Sequence, residues 1–186
     1  MKNRNLPLLI AGAIVLVLAV YAYFVPSGRV FDFSRNLPED EKTLSSISQT
    51  VSEKFEYLSK NGNSACSASF RNSILSMPDQ ERLRGSCCSP MSLHRYEEQV
   101  TGLRKFNGIP EIPPDPYDID VKLAKELKAY YDVELTSEQQ KAYDYAMQNS
   151  SEKGPCCCKC WRWYVYGGLG KYLIKNHGFT GEQLTE

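Results

Sequence analysis

The sequence predicts an all-α fold: an N-terminal transmembrane helix followed by a small, cysteine-rich, multi-helix domain in two lobes joined by a proline-rich strap. Three observations carry this. Leu6 to Val25 is a run of 20 residues without a charge. Downstream, apolar residues recur at spacings of three and four, and no strand-like alternation of useful length interrupts them. Between the helical stretches, four prolines fall within the seven residues from Pro110 to Pro116, which no helix tolerates.

Residues 1–26 read as the anchor. At about 1.5 Å per residue the run from Leu6 to Val25 reaches roughly 30 Å, the thickness of a bilayer core. It is longer than the apolar region of a cleavable signal peptide, about 7–15 residues. It ends in bulky residues, with Tyr21, Tyr23 and Phe24 placed for the interface. Lys2 and Arg4 flank one side; Arg29 and Arg35, diluted by Asp32, flank the other. The expectation is a single-pass protein in the lipid bilayer with its N-terminus cytoplasmic. Its C-terminal domain would be extracytoplasmic, in a periplasm or at a cell surface.

Residues 27–60 form a linker and an amphipathic helix with Leu44, Ile47, Val51, Phe55 and Leu58 on one face. The first lobe, 61–108, opens at the turn signal "NGNS". Its helices are "SFRNSILSM", ending before Pro78, and "MSLHRYEEQVTGLRKF", patterned by Leu93, Tyr96, Val100 and Leu103. The strap, 109–118, reads as extended polyproline of linker or packed type. The second lobe, 119–186, starts with a helix from about Ile119 to Tyr131, patterned by Val121, Leu123, Ala124 and Leu127. Thr136 with Gln139 three residues on is a capping-box signature. "NSSEKGP" breaks that helix, and the next spans about Cys158 to Lys175. Thr180 with Gln183 caps a last helix of barely one turn, marginal enough to predict a chain continuing past Glu186.

Twenty-two basic residues balance 22 acidic ones. A nucleic-acid partner usually needs a basic surplus to displace counterions, so none is expected. "GGLGK" lacks the spaced glycine and the Ser or Thr of a phosphate loop. No Ser-His-Asp order, catalytic carboxylate pair or haem-attachment motif is recognisable. The chain therefore reads as a binding protein and not as an enzyme.

Its chemistry lies in seven cysteines: Cys66, Cys87, Cys88, Cys156, Cys157, Cys158 and Cys160. The odd number leaves at least one thiol without a partner in a monomer, or bonded to something else. A helix begun near Cys156 would place Cys156 with Cys160 and Cys157 with Cys160 on shared faces. Its free amides, with Lys159, would favour thiolate. Thiolates select soft metals. The adjacent pair Cys87-Cys88 departs from the spaced pairs of a zinc ribbon and suits sulfurs that bridge two ions. Cu(I) is therefore favoured over zinc or an iron–sulfur cluster. Cys156, Cys157, Cys158 and Cys160 are the main ligands, with Cys87 and Cys88 second. Met91, His94, Cys66 and His177 are weaker candidates. On this reading the protein is a carrier or store of the ion, or an accessory part of a membrane assembly. Two alternatives stay open. A disulfide framework could staple the lobes of a metal-free accessory subunit, adding roughly 2–4 kcal/mol per bridge. Cys157-x-x-Cys160 could act as a redox dithiol, although the βαβ context of that chemistry is missing.

Pro155-Cys156-Cys157-Cys158-Lys159-Cys160, with the helix and the "HGF" turn that follow, resembles the PCYCGC-motif family of bacterial, membrane-tethered extracytoplasmic proteins. The resemblance implies metal handling, with copper the usual suggestion. The sequence departs from the motif at Cys157 and Lys159, and a helical anchor stands where the family has a lipid-modified cysteine.

Behind the cysteines, Trp161, Trp163, Tyr164 and Tyr166 cover more than one helix face, and Gly167, Gly168 and Gly170 leave gaps. Glycines in a helix cost about 1 kcal/mol each relative to alanine, so a close-packed partner backbone is expected there. The aromatics suit a core helix whose tyrosine hydroxyls find polar partners. They also suit a face at the membrane interface or a docking surface for another subunit.

Overall fold

The computed structural model describes residues 39–186, with side chains from Thr50 onward. The anchor from Leu6 to Val25, its interface residues and most of the linker lie outside the described residues. Among the described residues no helix is long and apolar enough to cross a membrane.

Ser46–Glu186 is one compact unit. The helices are α1 Glu39–Lys60, α2 Ala68–Ser73, α3 Leu93–Leu103, α4 Val121–Tyr130, α5 Ser137–Asn149, α6 Trp161–His177 and α7 Gly181–Thr185. Short 3-10 turns extend α2 over Ile74–Ser76 and α3 over Arg104–Phe106. The fold is mostly α, as expected, with one addition. Two three-residue strands, β1 Arg82–Arg84 and β2 Asp118–Asp120, pair antiparallel with Leu83 opposite Ile119. The stretch expected to be helical from Ile119 therefore begins as a strand and turns helical only at Val121.

The core gathers Ile74, Leu83, Ile119, Val121, Ala124, Leu127, Trp161 and Val165. Residues 61–108 and 119–186, expected as two lobes, thus contribute to one and the same core. The strap turns instead of running straight. Ile112 and Pro113 are buried, and the Pro116 carbonyl accepts hydrogen bonds from Arg162 and Tyr166. Asp118 ties α1 to the sheet. Its buried carboxylate accepts from Lys54 and from Arg82 Nε, and Arg84 Nε lies 3.8 Å away.

Two capping boxes close as the local sequence dictates. The Thr136 side chain accepts from Gln139 N–H while the Gln139 amide reaches back, and Thr180 with Gln183 does the same. Helix α6 packs along α4 with no room to spare. A Cβ on Gly168 would lie 1.8 Å from the Leu127 carbonyl oxygen, and one on Gly167 would lie 2.9 Å from the Tyr131 ring. At Gly170 the nearest neighbour is the Tyr143 ring, at 3.4 Å.

Candidate metal centre

Three separate stretches bring sulfur to one place. Cys66 lies just before α2, and Ser67, the next residue, caps that helix by accepting from Phe70 N–H. Cys87 and Cys88 follow β1. Gly85 turns the chain there in the left-handed region, φ 73°, and a Cβ would meet Gly62 Cα at 2.8 Å. The close approach of these two glycines delivers the Cys87-Cys88 loop beside Cys66. The third stretch is residues 156–160.

This third stretch is not helical. Helix α6 begins at Trp161 with Cys160 as its N-cap, so the expected helix from about Cys158 starts three residues late. The expectation that Cys157 and Cys160 share a helix face fails with it. Exposure alternates instead: Cys157 and Lys159 are exposed, Cys156 and Cys158 half-buried, and Cys160 fully buried. The stretch is a series of bends rather than a strand, and Cys156, Cys158 and Cys160 are its more buried thiols, while the exposed Cys157 still hydrogen-bonds with Cys88 and Cys156. Backbone N–H groups support each sulfur from two residues on: Cys158 donates to Cys156, Cys160 to Cys158, and Arg162 to Cys160.

Across the stretches the sulfurs nearly touch. Cys88 Sγ is 2.8 Å from Cys158 Sγ and 3.5 Å from Cys66 Sγ, and Cys66 is 3.0 Å from Cys158. Cys87 Sγ is 3.3 Å from Cys88 and 3.2 Å from Cys160, and Cys156 is 3.8 Å from Cys160. Two groups of four have all their sulfurs within 4.8 Å of one another: Cys66, Cys88, Cys158 and Cys160; and Cys87, Cys156, Cys158 and Cys160. For comparison, tetrahedral thiolate ligation at about 2.3 Å per bond puts sulfurs about 3.8 Å apart. These cysteines can hold a metal ion. Neither group includes a histidine or a carboxylate.

The proton distribution is uneven. Hydrogen bonds from Cys160 and then Cys87 hold Cys156 far below an ordinary thiol, against its burial. Burial pushes Cys158 up, but bonds from Cys66 and Cys88 outweigh it and the net shift is down. The donors move the other way. Cys160 rises to about 12, first through its bond to Cys156. Cys87 rises further through bonds to Cys156 and Cys160. Burial and then the bond to Cys158 raise Cys88, and the bond to Cys158 raises Cys66. Cys156 and Cys158 are therefore the two thiols of the cluster that their neighbours shift toward the thiolate form.

The cation beside the cluster is not the expected one. Lys159 turns outward, its Nζ 5.7 Å from the centre of the Trp163 ring. Arg162, which the sequence reading passed over, is buried. Its guanidinium sits 4.8 Å from the Trp161 ring and 4.9 Å from the Tyr117 ring. It donates to the carbonyls of Gly85 and Pro116. Its Nε has no hydrogen-bond partner, and no salt bridge joins it to a described carboxylate. Arg162 lines a cleft of about 330 Å³ together with Cys87, Cys156 and Cys157.

The remaining candidates lie elsewhere. His94 is exposed in the first turn of α3, and Met91 is half-buried just before that helix. His177, exposed at the end of α6, has its ring 5.6 Å from Tyr172 and 6.5 Å from Phe179. Neither histidine belongs to a four-sulfur group. The aromatics after the cysteines make contacts within the fold. Trp161 is fully buried, Trp163 Nε1 donates to Tyr131 Oη, and Tyr164 packs edge-on against Tyr131 at 4.8 Å. Tyr166 Oη donates to the Pro116 carbonyl at 2.6 Å.

No family model matches the chain, and neither does any curated protein or solved structure.

Proposed function

We propose that this protein binds a soft metal ion, Cu(I) first among them, as a membrane-tethered carrier, store or accessory part of a membrane assembly. The observation that carries the reading is the convergence of six cysteine sulfurs from three distant stretches, with no oxygen or nitrogen donor among them. An all-sulfur donor set selects soft ions. The role is binding rather than catalysis. The tether rests on the charge-free run from Leu6 to Val25 and the extracytoplasmic placement on the charges that flank it. The resemblance to the PCYCGC-motif family fits the same reading, because Cys156, Cys158 and Cys160 of Pro-Cys-x-Cys-x-Cys are the three more buried thiols of the stretch.

The test uses the full chain, purified without oxygen and titrated with Cu(I) against a chromogenic Cu(I) chelator. The reading expects at least one equivalent retained per chain. Replacing Cys156, Cys158 and Cys160 together by serine should abolish retention, because serine oxygen is a hard donor.

A second reading is a disulfide-stapled accessory subunit of a membrane complex, without metal. It is favoured by pairs such as Cys88 and Cys158, which need only a small approach to bond. The triangle Cys66, Cys88 and Cys158 weighs against it, since a bridge uses two sulfurs and strands the third. Protein isolated with at most one free thiol, and retaining no Cu(I), would decide for the bridges.

A further inference from the structure

We infer that the cysteines build a two-ion centre in which Cys158 and Cys160 bridge, Cys66 and Cys88 complete the shell of one ion, and Cys87 and Cys156 complete that of the other. This rests on the metal-binding reading and deepens it.

The two four-sulfur groups have Cys158 and Cys160 in common. Two separate four-sulfur sites would need eight sulfurs, and the chain has seven cysteines. Sharing is the way this chain can give two thiophilic ions four sulfurs each. The shared residues are also placed for it. A bridging thiolate commits lone pairs to both ions, so it belongs between them and away from water. Cys160 is 1% exposed, the deepest of the seven, and Cys158 is half-buried. The outer ligands divide by stretch: each ion takes one residue of the Cys87-Cys88 pair, which explains why that pair is adjacent. Cys66 then serves one ion and Cys156 the other. Cys157 belongs to neither group and is exposed.

Charge points the same way. Six thiolates around two ions, monovalent or divalent, leave an excess of negative charge. Buried Arg162 lines the cleft with Cys87, Cys88 and Cys156, and the carboxylate that shares the cleft, Glu152, pairs with Arg95 instead. A guanidinium buried without a counter-ion is costly, and an anionic cluster beside it supplies one. The backbone N–H groups of Cys158, Cys160 and Arg162 that point at sulfur stabilise thiolate in the same sense.

Cd(II) is a suitable probe because it takes four sulfurs and reports on them by cadmium NMR. The reduced full chain, titrated with Cd(II) under nitrogen and weighed by native mass spectrometry, should bind two ions. It should give two cadmium resonances joined by a cadmium–cadmium scalar coupling through the shared sulfurs. Replacing Cys66 and Cys88 by serine should halve the content to one ion, as should replacing Cys87 and Cys156, with helix content by circular dichroism checking the fold each time. Cys157→Ser should keep both ions. One Cd(II) per chain in the unsubstituted protein, or two without coupling, overturns the two-ion centre and leaves the metal reading standing. No Cd(II) bound removes both.

Discussion

Replacing Gly168 by alanine sets two effects of opposite sign against each other. Helix propensity alone favours alanine by about 1 kcal/mol in a helix interior, and Gly168 lies in the middle of α6. Against this, the new Cβ would sit 1.8 Å from the Leu127 carbonyl oxygen. A normal contact requires a retreat of more than 1 Å, and the blocking atom is backbone, so no side-chain rotation relieves it. Helices α4 and α6 must part along the seam where Ala124, Leu127, Trp161 and Val165 meet in the core. Overpacking costs about 1–3 kcal/mol where side chains can yield, and a rigid carbonyl puts this site at the upper end. The net expectation is a loss of about 2 kcal/mol, lowering Tm by about 4–8 °C for a chain of this size. The assay is thermal unfolding of the full chain by far-ultraviolet circular dichroism. Gly102→Ala serves as the control of sign. Gly102 lies near the end of α3 with nothing within 4 Å of an added Cβ, so alanine there should stabilise by up to about 1 kcal/mol. A Gly168→Ala protein as stable as the unsubstituted one, or more so, would refute the close packing of α4 on α6.

Two further outcomes test other joints. Burial alone would raise the Asp118 carboxyl, but hydrogen bonds from Lys54 and Arg82 outweigh it and hold it below the usual carboxylate range. A depressed folded-state value means stability that is present above the unfolded value of about 3.9 and lost as pH falls through the lower one. Asp118→Asn should therefore cost about 2 kcal/mol at neutral pH, discounted because Lys54 and Arg82 are partly exposed. The gap to the unsubstituted protein should close below about pH 4; parallel urea-denaturation profiles across that range would rule the network out. Thr136→Ala removes the acceptor of the α5 capping box and should cost about 1 kcal/mol, read as faster amide exchange in the first turn of α5. Unchanged exchange there would mean that the box does not hold the helix start.

How much of this was legible in the sequence depended on how local each signal is. Thr136 with Gln139, and Thr180 with Gln183, specify caps that close within three residues, and both closed. Strands β1 and β2 escaped notice because each is three residues long, and each acquires its partner far along the chain, through the pairing of Leu83 with Ile119 and its neighbours. Periodicity cannot register so short a run. The crowded cysteines were visible as chemistry but misplaced as structure. The helical pattern of α6 was extended back over residues 158–160, whereas those thiols answer to Cys66, Cys87 and Cys88 across the fold. Cys66 ranked low because it stands alone in its stretch. Arg162 went unremarked because the residues that cage it, Tyr117 and the carbonyls of Gly85 and Pro116, lie far from "CWRWY" in the chain. The signal available was a single cation flanked by two tryptophans, the composition of a cation–π site.

Alternation along residues 156–160 gives the stretch a parity. Changes of identity at Cys157 or Lys159 fall on exposed positions and should leave both four-sulfur groups complete. A change of length is another matter. Deleting one residue between Cys156 and Cys160 would leave at least one of the three more buried sulfurs out of phase with Cys160, the cap that fixes the frame. The stretch therefore tolerates point substitution at Cys157 and Lys159 but not a single frame-preserving codon loss. In that respect it behaves as a counted spacing and not as a composition.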